Sequence, residues 1–241
     1  VEEVVEIYRR AVEEPGLKPA SGRHVAYIPG GGLYAAALGD FLAAISNDYA
    51  GIRFTGAGAV EVENHLIRWM AELVGYPSDA AGNLASGGSI ANLIAVVTAR
   101  EAHELAPEDV SRAVVYLTEQ AHHCVDKALR IAGLGPCERR YLPMDEGFRM
   151  RPEALEAAVE EDREAGLLPW MVVASAGTTD VGAVDPLEAI GGVARRQDLW
   201  YHVDAAYGGF FLLCPEVRDL FDGIGDSDSV VMDPHKGLFL P

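Results

Sequence analysis

The chain has 241 residues, of which 49% are hydrophobic, and carries a formal net charge of −18 from 37 acidic against 19 basic residues. That length and apolar content hold one sizeable α/β core, and the charge repels phosphate backbones and anionic headgroups, which argues against nucleic acid or a membrane surface as partner. Cys124, Cys137 and Cys214 are odd in number and widely spaced with no CxxC pair, so neither a disulfide framework nor a zinc ribbon is expected, and a reducing cytoplasm fits best.

The opening "VEEVVEIYRRAVEE" is an amphipathic helix stopped by Pro15-Gly16, with a loop following through "KPASGRHVAYIPGGG". It has no initiator methionine and begins in mid-helix, from which we expect the start to be a cut. It shows no basic-then-apolar signal pattern, and no apolar run reaches the roughly 18 residues a membrane span needs. Helices are predicted over 34–47 and 60–75, the second burying Val62, Leu66, Trp69, Met70 and Leu73 on one face. Acidic residues concentrate in 2–14, 101–109, 153–164 and 216–228 and read as solvated helix faces.

From about residue 83 strands and helices alternate. A short strand leads into "ASGGS" and a helix over 89–104. "AVVYLTEQ" is a strand before the helix "AHHCVDKALRIAG", and "RRYLPM" a strand before the helix 152–165. "WMVVASAGTT" precedes the helix 186–197, and "LWYHVDAAYGG" and "SVVMDPHK" are further strands. Continuous apolar strands between helices predict a mostly parallel sheet covered on both faces. Ligands of such sheets sit beyond the carboxyl ends of the strands. The residues to inspect are therefore 86–89, 120–123, 177–179, 204–207 and 233–236.

"SGGS" at 86–89 lets backbone approach a ligand and opens a helix whose N–H groups suit a phosphate, although a glycine turn with a serine cap reads the same way. It matches neither a Walker loop nor GxGxxG, which counts against nucleoside triphosphates and dinucleotides. Asp204, among apolar and aromatic neighbours, is a metal ligand, a catalytic acid or base, or the partner of a buried cation. Lys236 at a strand end would face the same crevice, where desolvation beside other cations makes an amine nucleophilic. His122 could stack on a flat ring, bind a metal or cap its helix. His122, His123 and Cys124 are too close in sequence to ligate one ion together, so a metal site would need His202, Asp204 or His235 as well.

In order, "SGGSIANL" (86–93), "AHHCVDKA" (121–128), "GTTDVGAVD" (177–185), "HVDAAYGG" (202–209) and "DPHKGL" (233–238) resemble the pyridoxal-phosphate-dependent group II amino-acid decarboxylases. "YIPGGGL" and "AVEVENHLIRWMAELVGYP" extend the resemblance over nearly the whole chain.

The resemblance implies a fold-type-I large domain over 81–241, preceded by a helical, substrate-side segment over 1–80. It implies that Lys236 forms the Schiff base with pyridoxal phosphate and that His235 lies near the phosphate. Asp204 would pair with the pyridine nitrogen, Ala206 would pack near the ring, and His122 would stack on it. Thr179 would offer a hydroxyl, Gly88 and Ser89 a phosphate cradle, and Tyr27 and Pro29 would line the substrate pocket. The catalytic set is thus Lys236, His122 and Asp204, with no metal. The implied activity is decarboxylation of an L-amino acid, aromatic by preference, to an amine and CO2 by a cytoplasmic homodimer. Rival expectations are another fold-type-I lyase or aldehyde-forming enzyme, a metal-dependent hydrolase built on His122, His202 and Asp204, or a degenerate fragment that only folds or binds.

The chain departs from the family pattern at "SGRHVAYIP", where several relatives read "HPRFF" or similar, and at Asp233, where some carry a phosphate-contacting Asn. The family's further strand, mobile loop and small C-terminal domain would follow Lys236. We therefore expect a fragment that lacks that small domain and, alone, aggregates or binds cofactor weakly.

Overall fold

The computed structural model describes residues 1–25, 27–28 and 31–241. It divides into two compact units, one of Val1–Asn47 with Pro234–Pro241, the other of Asp48–Asp233.

The first unit contains α1 (Glu2–Tyr8), which runs on as a π-turn to Glu13, and α2 (Tyr34–Ser46). Neither helix has a buried residue. The Leu33 N–H donates to the Phe239 carbonyl at 3.0 Å, tying the start of α2 to the chain's last residues.

The second unit runs α3 (Ala57–Val74), α4 (Gly88–Ala102), β1 (Ala113–Leu117), α5 (Cys124–Ile131), β2 (Glu138–Tyr141), α6 (Pro152–Glu164), β3 (Leu168–Ser175), α7 (Leu187–Arg196), β4 (Trp200–Ala205) and β5 (Ser229–Met232). The strands form one sheet in the order β2-β1-β3-β4-β5, every neighbouring pair parallel. This is the covered parallel sheet that the apolar runs predict.

Side chains alternate across the sheet. Val115, Leu117, Met171 and Val173 pack with Val96, Ala99, Val125 and Leu129 of α4 and α5. Val114, Tyr116, Val172, Ala174, Tyr201 and Val203 pack with Leu155, Val159, Leu187 and Ile190 of α6 and α7. Each fully buried aliphatic side chain contributes roughly 1.5–3 kcal/mol, so these two layers hold the strand ends in register. At the edge, β2 is charged, and Asp162 of α6 accepts from Tyr116 Oη at 2.8 Å and from Arg140 Nε at 3.1 Å.

Three local expectations change. No strand precedes the "ASGGS" turn among the described residues; there the Leu84 N–H is taken by Glu63 Oε1 at 3.1 Å, and Leu84 itself is exposed. On α3, Val62 and Trp69 are exposed and only Val74 is buried. Finally, β5 stops at Met232, and residues 234–237 form a helical turn, α8 (Pro234–Gly237). Pro234 has no N–H for a ladder and a φ suited to the first position of a helix, so the strand stops at Met232, four residues before the end of the predicted strand "SVVMDPHK".

Candidate functional site

Four chain segments at the carboxyl ends of strands, or at the helix start facing them, carry the polar groups of the second unit. At the start of α4, Gly87 sits at φ +145° and ψ 165°, a conformation that glycine takes without strain. It lets the chain turn directly into a 15-residue helix whose first-turn N–H groups, those of Gly88 and Ser89 among them, have no acceptor within the helix. The N-cap is Gly87, and Ser89 lies inside the first turn, so the serine is not the cap. A Cβ built on Gly88 would lie 4.0 Å from the Ala206 Cβ. The open end of α4 therefore lies against the loop that follows β4.

Beyond β1, the Ala121 N–H bonds to the Thr118 carbonyl at 3.0 Å and turns the chain into α5. His122, half-buried, accepts the Cys124 N–H on Nδ1 at 3.3 Å, which in the neutral ring leaves the proton on Nε2. Its ring lies 4.1 Å from that of His123.

Beyond β3, the loop 176–185 is fastened at both ends. The Gly177 and Thr178 N–H groups donate to the Ala183 carbonyl at 3.0 and 2.9 Å, and Thr178 Oγ1 accepts from the Ala183 N–H at 3.1 Å. The buried Asp185 carboxylate takes the Met150 and Ser175 N–H groups, each at 2.7 Å. Burial pushes the Asp185 carboxyl above its ordinary range, and these two donors pull against that shift. Thr178 is spent inside the loop, while Thr179 is exposed.

At the end of β4, half-buried Asp204 accepts the Ala206 N–H on Oδ1 at 3.1 Å, and Asn92 Nδ2 of α4 lies 3.5 Å from Oδ2. Asn92 Nδ2 also donates to the Gly88 carbonyl at 2.9 Å, and Asn92 Oδ1 lies 3.0 Å from His202 Nε2. His202 Nδ1 lies 2.8 Å from Ser229 Oγ, which accepts from Trp200 Nε1 at 2.9 Å. Burial pushes the His202 imidazole pKa below its ordinary value, against the opposing pull of the Asp204 charge.

Gly88, Ser89, His122, Thr179, Asp204 and Ala206 thus all belong to the second unit, and contacts join Gly88, Asn92, Asp204 and Ala206 directly. Lys236, half-buried on α8, and His235, whose Nδ1–H donates to the Leu240 carbonyl at 2.8 Å, belong to the first unit. So does Tyr27, which is exposed. Pro29 lies outside the described residues. No group of three or more His, Cys, Asp or Glu side chains that could hold a metal ion occurs among the described residues, and both ring nitrogens of His202 are engaged in hydrogen bonds.

The family profile described as the pyridoxal-dependent decarboxylase conserved domain matches residues 2–240. The chain belongs to this family. It is 38% identical over 217 residues to an aromatic-L-amino-acid decarboxylase of Bacillus atrophaeus, covering 90% of this chain and 45% of the relative. It is 36% identical over 221 residues to a phenylacetaldehyde synthase of Arabidopsis thaliana, covering 88% and 45%. The solved structure of the Oryza sativa protein TDC with PLP and tryptamine superposes with a TM-score of 0.88 at 32% identity, covering all of this chain and 54% of that one. The chain spans about half the length of the curated relatives it matches.

The family's cofactor is pyridoxal phosphate, and the donor set of the second unit fits its parts. A glycine-led helix start suits a phosphate, and a carboxylate whose two oxygens each take one N–H keeps lone pairs for a third donor such as a ring N–H. Ala206, whose N–H meets that carboxylate and whose Cβ faces Gly88, brings only a methyl group there.

Three contributors escaped the sequence reading. Asn92 stood inside a quoted motif without a role, although its spacing of four from Gly88 on a helix is a visible signal. Asp185 likewise stood unassigned in "GTTDVGAVD". Ser229 gave no signal, because its place beside His202 depends on the register of β4 with β5.

Proposed function

We propose that the protein carrying this chain is a pyridoxal-phosphate-dependent carboxy-lyase that removes the carboxylate of an L-amino acid, aromatic by preference, as CO2 and yields the amine. The observation that carries this reading is the Asp204 carboxylate, held at a strand end by donors from the Ala206 backbone and Asn92 and lying beside the open start of α4. Family membership and the decarboxylases among the relatives support it.

Pyridoxal phosphate, when bound, supplies an electron sink for the pair left on the α-carbon as CO2 departs. Asp204 would hold a proton on the ring nitrogen. A carboxylate about 4 Å from a cation at an effective dielectric near 20 is worth roughly 4 kcal/mol. Gly88 and Ser89 would take the phosphate on their N–H groups, with His235 near it. Thr179 would give its hydroxyl to the cofactor, His122 would lie flat on the ring, and Ala206 would leave room on the other side. Lys236 would be the covalent anchor and would release the cofactor to the incoming amine. Tyr27 and Pro29 would line the substrate side. The net negative charge opposes nucleic acid as a partner. We place the protein in the cytoplasm as a homodimer; the odd number and wide spacing of its three cysteines suit a reducing compartment.

A second reading has its own support, since the relatives include phenylacetaldehyde synthases of Arabidopsis thaliana and Petunia hybrida. The test is a panel of aromatic and acidic L-amino acids given to the cofactor-loaded full-length protein, with amine, aldehyde, ammonia and CO2 each measured. Amine with equimolar CO2 supports the decarboxylase; aldehyde with ammonia supports the second reading. Activity that a chelator abolishes and borohydride spares would defeat both.

A further inference from the structure

The hydrogen bonds behind Asp204 have a forced direction. At one end the Trp200 indole N–H can only donate, and at the other the Gly88 carbonyl and the Asp204 carboxylate oxygen receive. Asn92 must therefore turn its NH2 toward Gly88 and Asp204, which leaves Oδ1 facing His202. His202 Nε2 must then carry a proton, and with the ring neutral its Nδ1 accepts from the Ser229 hydroxyl, whose oxygen in turn accepts from Trp200.

The alternatives each leave a conflict. A ring protonated on Nδ1 alone would set two lone pairs, those of Nε2 and Asn92 Oδ1, against each other. Rotating the Asn92 amide to relieve that would aim Oδ1 at the Gly88 carbonyl and at Asp204 Oδ2. A charged ring would force the Ser229 hydroxyl to find another acceptor and would place a cation where His202 is 1% exposed. Burial lowers the pKa of this ring, in agreement with the neutral form.

We propose that His202 and Asn92 are positioning residues for the reaction: the neutral His202 ring fixes the rotation of the Asn92 amide, and Asn92 in turn fixes Asp204 Oδ2. The inference rests on the decarboxylase reading for its catalytic consequence. Neither residue needs to touch substrate. The Asn92 amide binds both the Gly88 carbonyl in the first turn of α4 and the Asp204 carboxylate, so it links the group proposed for the phosphate end of the cofactor to the group proposed for its ring nitrogen. The β4–β5 register supplies Ser229 as the backstop of the histidine.

Two measurements test this on the full-length protein. Nitrogen-15 histidine NMR, with the His202 signals identified by their loss in His202→Gln, should show the Nε2–H neutral tautomer without and with pyridoxal phosphate, on both sides of the ordinary histidine titration. An Nδ1–H or imidazolium ring would overturn the proposal. In parallel, Asn92→Leu and His202→Phe should lower kcat at saturating cofactor about tenfold or more, the scale on which groups supporting a ligand act. They should leave substrate KM little changed and shift the absorbance of the bound cofactor. His202→Gln can donate to Asn92 and accept from Ser229, and should restore both readouts. Variants that fold as the parent does, by urea midpoint, and keep its spectrum and kcat would sink the inference. Should His202→Phe not fold, Ser229→Ala and the tautomer of the unaltered protein decide. A parent that binds no pyridoxal phosphate defeats the decarboxylase reading instead, and the tautomer result separates the two failures.

Discussion

His202 Nε2 lies 3.0 Å from Asn92 Oδ1 and joins the strand that carries Asp204 next to its last residue to the helix that opens at Gly88. A side chain from each element thus completes the other's hydrogen bonding in a buried layer, where an unpaired polar group costs about 1–3 kcal/mol. The carboxylate proposed for catalysis is consequently part of the packing between sheet and helix.

The close approach of two loops at the strand ends predicts an intolerance of added volume. A Cβ on Gly208 would lie 2.1 Å from the Ala176 carbonyl oxygen, which is backbone and also accepts the Gly208 N–H at 3.0 Å. Gly208→Ala should destabilise the protein by about 3 kcal/mol. Gly135→Ala, with nothing within 4 Å of its added carbon, should stay within about 0.5 kcal/mol. Urea unfolding midpoints of the two variants check this; equal midpoints would contradict it.

Asp185 can serve two N–H donors because a carboxylate presents only acceptors. In Asp185→Asn one of those donors faces an NH2 group. The expected loss is about 2 kcal/mol, together with faster amide exchange at Ser175 and Met150. Hydrogen-exchange mass spectrometry of the peptides spanning those residues would show it. Unchanged protection there would count against this account of the loop that presents Thr179.

Buried phenols predict a one-sided alkaline response. Burial holds the Tyr76 hydroxyl, 2.6 Å from Ser227 Oγ, up at about 12, and raises Tyr116 and Tyr201 as well. The folded state therefore keeps protons that the unfolded chain gives up near its ordinary tyrosine pKa of about 10. The stability these groups contribute is complete below that value and is lost as pH rises through about 12 for Tyr76. Urea midpoints should fall above about pH 10, less steeply in Tyr76→Phe. A midpoint rising with pH in that range would reverse the sign and refute the argument.

Lys236 carries the expectation of a covalent link. Borohydride treatment of the cofactor-loaded protein should leave a cofactor-sized mass increment on the peptide containing Lys236, and none after Lys236→Ala. An increment on another lysine would move the anchor.

Much of this architecture is legible in the amino-acid order. The runs "AVVYL" and "WMVVAS" are buried on both faces, so the strands β1 and β3 declare themselves by apolar continuity alone. Asp204 stands out because a carboxylate interrupts such a run. What stays hidden depends on tertiary neighbours. The helical period of α3 counts Val62 as core, yet Val62 is 69% exposed, because periodicity identifies an apolar face and not what covers it. The strand predicted to continue through Lys236 stops with the apolar run at Met232, because Pro234 opens a helical turn. Asn92 and Ser229 acquire meaning only when a helix face and a strand register bring them to His202.

The central claim is that the Asp204 carboxylate makes the cofactor an effective electron sink. The most direct measurement compares amine and CO2 release from an aromatic L-amino acid by the parent protein and by Asp204→Asn, at equal cofactor occupancy. Replacing the charge should forfeit most of an interaction worth roughly 4 kcal/mol, which lowers turnover by about two to three orders of magnitude. Parental turnover in a folded, cofactor-saturated Asp204→Asn protein would contradict the account.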